Sequence, residues 1–117
     1  MAGVGLAVPA RGVTEAQTLL LVIGTIRLPP ANLAQARAAM SVMVDASRAE
    51  EGCIDYSYAE DLFEPGLIRV SEQWRGQTAL DRHLRSEHLR AWRSSWAELG
   101  ISDRRLTVYT ACPGQPT

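Results

Sequence analysis

The sequence predicts an α+β sandwich of the split βαβ kind, one sheet carrying helices on a single face. Three observations predict it. A β-branched and aliphatic run, TLLLVIGTIR, is followed by two alternating runs, CIDYSYAED and LIRVSEQWR, which Glu64-Pro65-Gly66 separates. Apolar residues at helical spacing follow the first run and the third, and a last alternating run, DRRLTVYTAC, completes the order strand, helix, strand, strand, helix, strand.

Each element has its own justification. Met1 to Gln17, rich in Gly and Ala, is expected to be a loosely ordered leader, with the domain at residues 18–112 and a tail at 113–117. From Thr18 the chain is apolar on both faces up to Leu28-Pro29-Pro30, so this stretch reads as a central strand. Asn32 with Gln35 has the form of a capping box, and Leu33, Ala36, Met40, Met43 and Ser47 share the stripe of an amphipathic helix that closes near Gly52. Alternation then places Ile54, Tyr56 and Tyr58 on one strand face and Cys53, Asp55 and Ser57 on the other. Ile68, Val70, Glu72 and Trp74 share a face of the next strand, and the two strands make a hairpin. Thr78 with Asp81 opens the following helix, which Leu80, Leu84, Trp92, Trp96 and Leu99 anchor across a second segment capped by Ser86. Leu106 and Val108 are expected inward on the final strand. The βαββαβ order is that of the ferredoxin-like sandwich. Its second sheet face is uncovered and the first strand is apolar on both sides, so that face is expected to pack on a second copy, giving a homodimer.

Composition removes several functions. The chain has 117 residues, 46% of them hydrophobic, and a formal net charge of −1. That describes one compact domain with no long-range attraction to nucleic acid or to a membrane surface. All of its basic residues are arginine. Without lysine, Schiff-base chemistry, a pyridoxal-phosphate lysine and a phosphate-loop lysine are excluded. Cys53 and Cys112 lack metal or disulfide spacing and read as reduced thiols of a cytoplasmic protein; at opposite sheet edges, they should not join. The run Leu19 to Ile23 is far too short to span a bilayer.

Chemistry gathers in SEQWRGQTALDRHLRSEHLRAW, which holds Glu72, Trp74, Trp92 and both histidines. On a helix-facing strand surface the Glu72 carboxyl must find a donor or stay protonated. It is either a structural partner of an arginine or tyrosine hydroxyl, or a general base for a phenolic proton. His83 lies on the core side of its helix, and His88 follows where that helix breaks; each is a proton-transfer candidate or a satisfied boundary residue. Trp74, Trp92, Trp96, Tyr56 and Tyr58 are core aromatics that could also wall a flat ligand. Arg69, Arg104 and Arg105 are expected to face solvent or a dimer edge.

The EEGCIDYSY, RVSEQWR and ALDRHLRSEHL segments, in this order and spacing, resemble the antibiotic biosynthesis monooxygenase family of dimeric α/β-barrel proteins, over about residues 18 to 112. The resemblance implies a homodimer with a pocket between sheet and helices in each subunit. It implies a cofactor-independent monooxygenase that oxidises a quinol or a phenolic polycyclic aromatic with dioxygen, using no metal or flavin. Glu72 and His83 would then serve proton transfer and Trp74 a pocket wall or radical relay, while Tyr56, Tyr58, Trp92 and His88 would contact a small aromatic substrate. Relatives that degrade haem match His83 and Trp74, but they use an asparagine on the first strand where this chain has Gly24 and Thr25. The competing reading is a dimeric ligand-binding or stress-associated protein without turnover.

Overall fold

The computed structural model describes residues 18–117. Strand β1 (Leu19–Arg27) leads through a 3-10 turn (Pro30–Asn32) into helix α1 (Leu33–Arg48). Strands β2 (Cys53–Glu60) and β3 (Leu67–Trp74) form the hairpin. Helices α2 (Gln77–Leu84), α3 (Glu87–Ser94) and α4 (Trp96–Leu99) precede strand β4 (Ser102–Ala111). The sheet order is β2-β3-β1-β4, antiparallel throughout, which is the ferredoxin-like arrangement.

Alternation decides the core. Leu20, Val22 and Ile26 of β1 and Ile68, Val70 and Trp74 of β3 are buried with Ala36, Met40 and Met43 of α1 and Leu80, Leu89 and Trp92 of α2 and α3. Ser47, on the same stripe of α1, is buried because its hydroxyl donates to the Met43 carbonyl at 2.8 Å. The opposite face has no helix over it. There Leu21 and Ile23 stand beside Tyr109 and Thr107, and Ile23 and Tyr109 are 45% and 51% exposed.

Several local expectations are corrected. A bulge between Cys53 and Asp55 turns Cys53 toward the core and leaves Ile54 exposed, so Ile54 does not share the face of Tyr56. Asn32 makes no capping bond to α1; its amide instead donates to the Leu99 carbonyl at 2.9 Å, tying the start of α1 to the end of α4. Helix α2 starts behind Gly76, not at Thr78, and Asp81 accepts from Gln77 within the first turns. Ser86 caps α3 as expected, accepting from the Leu89 amide. Val108 lies on the inner face opposite Val22, as expected, and is half exposed because β4 is an edge strand; Leu84, ending a helix of two turns, is half exposed as well. Cys53 and the residue after β4, Cys112, stand at the two sheet edges and both are free. Among the described residues no helix is long and apolar enough to cross a membrane.

Candidate functional site

Between the sheet and α2, α3 and α4 lies a cavity of about 140 Å3. Val22, Leu80, Leu89 and Leu106 give it an apolar body, and Tyr56, Tyr58, Glu72, His83 and Trp96 give it polar atoms. Exposed Arg93 and Arg104 line it as well, so it opens to solvent on their side.

The strands aim the polar groups. Glu72 and Trp74 share the inner face of β3, and the Trp74 indole donates to the Glu72 Oε1 at 2.9 Å. Burial pushes the Glu72 carboxyl above its ordinary range, with the Trp74 bond opposing. Tyr56, opposite Glu72 on β2, is fully buried, and its hydroxyl lies 3.3 Å from Nε2 of His83. Burial raises the Tyr56 hydroxyl well above the usual phenol range and pushes the Tyr58 hydroxyl up as well, so they remain protonated. Nδ1 of His83 is 2.6 Å from a Glu50 oxygen. Glu50 accepts there, so Nδ1 carries the proton and Nε2 is left as an acceptor facing Tyr56. Burial lowers the His83 pKa against the pull of Glu50, which keeps the ring neutral.

The structure thus brings Tyr56, Tyr58, Glu72 and His83 to one cavity. Trp74, Trp92 and His88 are not among its walls. Trp74 is fully buried behind it, with its ring 4.7 Å from that of His83. Trp92 packs edge-on against Tyr58 and Trp96 at 6.1 and 6.2 Å. His88 reaches the same Glu50 oxygen at 2.7 Å. Arg104, expected outward, lines the cavity mouth, whereas Arg105 turns to Asp103 and Arg69 to Asp61.

Three features escaped sequence reading. Glu50 joins the two histidines although thirty-three residues separate it from His83. Its one local signal is an acidic residue just beyond a helix C-terminus, where the dipole disfavours it. Arg93 enters the cavity wall from α3. The buried indole N–H of Trp96, which is at the cavity, finds no acceptor among the described residues.

The antibiotic biosynthesis monooxygenase profile matches residues 19–95, which hold Tyr56, Tyr58, Glu72 and His83 of the cavity while Trp96, Arg104 and Leu106 lie beyond it. The chain belongs to that family. Similar proteins are Rv0793 of Mycobacterium tuberculosis, named as a candidate monooxygenase, at 33% identity over 62% of this chain and 70% of that protein, and sll1783 of Synechocystis, at 28% over 86% and 68%. The solved structure of Rv0793 superposes with a TM-score of 0.65 at 26% identity, covering 85% of this chain and 97% of the other. A Nitrosomonas europaea family member shares the fold alone, with a TM-score of 0.72 at 12% identity over 90% and 98%.

Proposed function

We propose that the chain is a cofactor-independent monooxygenase that hydroxylates a one-ring quinol with dioxygen. The observation that carries the reading is a small, mainly apolar cavity whose inner wall presents an accepting imidazole and a buried carboxyl. Its volume, about 140 Å3, matches the roughly 150 Å3 that holds a benzene ring. A fused polycycle would have to displace Arg93 or Arg104. Haem, which the resemblance raises, does not fit: the cavity is far below macrocycle size, and the His83 nitrogen that faces it is already against the Tyr56 hydroxyl.

In this reading the quinol oxygen takes a hydrogen bond from the Trp96 indole, and His83 receives the phenolic proton through the Tyr56 hydroxyl, which passes on its own. The quinol anion gives an electron to dioxygen more easily than the neutral quinol does. Recombination forms a ring peroxide, loss of the ring hydrogen as a proton breaks the O–O bond, and a hydroxyquinone and water result. One oxygen atom stays on the ring, the other leaves as water, and the four electrons come from the quinol. Glu72, held by Trp74, is placed to take the ring proton.

Oxygen uptake by chelator-treated protein tests this. One-ring quinols should stimulate consumption more than fused-ring ones, and His83→Ala should lower turnover by about 10²-fold with substrate affinity retained. If no quinol stimulates uptake while several bind, the chain is a binding protein.

A further inference from the structure

We propose that Glu50, His83 and His88 form a binding site for a divalent first-row transition ion of the zinc and cobalt class. Nδ1 of His83 and Nε2 of His88 converge on one oxygen of Glu50 at 2.6 and 2.7 Å, and the three donor atoms lie within 4.8 Å of one another. Two imidazoles and a carboxylate are a donor set that such ions favour, and three protein ligands leave a fourth position for water. Bonds of about 2.0–2.2 Å put tetrahedral donors roughly 3.3 Å apart, so the ion replaces the two hydrogen-bond protons once Glu50 withdraws by roughly 0.7 Å and the two imidazole nitrogens, within 4.8 Å of each other, settle at the same spacing.

The surroundings are those of a built site. The side chains of His83, Glu50 and His88 are 2%, 13% and 22% exposed, so the donors are held out of bulk water with an approach from the His88 side. The second nitrogen of His83 is already engaged by Tyr56, the outer partner that orients a ligating imidazole. The turn between the histidines is fixed by Ser86, whose hydroxyl donates to the His83 carbonyl at 2.7 Å and accepts from the Leu89 amide.

Of the trio only His83 reaches the cavity, so the ion sits behind the wall and does not meet a substrate. Its effect is on the tautomer. With Nδ1 bound to metal, the His83 proton moves to Nε2 and the ring becomes a donor toward Tyr56, which would silence it as a proton acceptor. That consequence rests on the function proposed above; the binding does not.

The test is titration of the metal-free full chain with zinc by calorimetry and with cobalt(II) by visible absorption. Expected are one ion per chain, micromolar or tighter, and the absorption bands of a four-coordinate cobalt site with nitrogen and oxygen ligands. His88→Gln, at the exposed end of the trio, and Glu50→Gln should each weaken binding by at least about 10-fold, since even an outer partner is worth that much. Circular dichroism verifies their folding, and Cys112→Ala, on the far sheet edge, should bind as the parent does. No saturable binding, or binding that survives both ligand variants, would overturn the proposal and leave Glu50 a hydrogen-bond acceptor for two imidazoles.

Discussion

Glu72 is 5% exposed, and its folded-state pKa lies above the ordinary 4.5 because of burial; Trp74, Arg104 and Tyr56 oppose the shift and Glu50 adds to it. The sign of its effect on stability follows. Between pH 4.5 and the raised value the unfolded chain has released a proton that the folded chain keeps, so stability falls as pH rises through that window and is level above it. Glu72→Gln cannot ionise and still offers Trp74 an acceptor. Its melting temperature relative to the parent should therefore improve as pH rises from about 4 to 8, as read by calorimetry. A difference that does not change with pH would mean that the carboxyl ionises as freely in the fold as out of it.

Strand β1 passes so close to β4 that Gly24 has no room for a side chain: a Cβ there would lie 1.7 Å from the Arg105 carbonyl oxygen. The ladder loses its regular register next to this point, between Thr25 and Arg27. Gly24→Ala should push β4 off and cost about 1–3 kcal/mol, as overpacking does. Hydrogen exchange should then quicken in β4 more than in β2; uniform exchange would place the strain elsewhere. The elements themselves were legible because each carries its period: the stripe from Ala36 to Ser47 and the inner face from Ile68 to Trp74 came out as read. Ends and bulges were not, because Asn32 found its partner in Leu99, sixty-seven residues away, and the turn of Cys53 toward the core depends on its pairing with β3.

The sheet has one face under helices and one without, and the bare face carries Leu21, Ile23 and Tyr109 at its centre. Burying such a surface against a second copy is the arrangement that the family resemblance implies. Sedimentation should find a stable dimer at micromolar concentration, with on the order of 2,000 Å2 buried in total as in obligate pairs. Ile23→Asp, at a position 45% exposed in the single chain, should yield a folded monomer. A parent chain that sediments as a monomer would refute the dimer.

Periodicity fixes which face each side chain takes, and that information is local, so the strand and helix order, the inner placement of Glu72 and His83 and the exclusion of lysine chemistry could all be had from the sequence. Distances between elements are not local. The convergence of His83 and His88 on Glu50, the entry of Arg104 into the cavity mouth and the unpaired indole N–H of Trp96 depend on how α1, α3, α4 and β4 pack on the sheet. So does the cavity's volume, because it is what remains after side chains from seven elements have filled the space between sheet and helices.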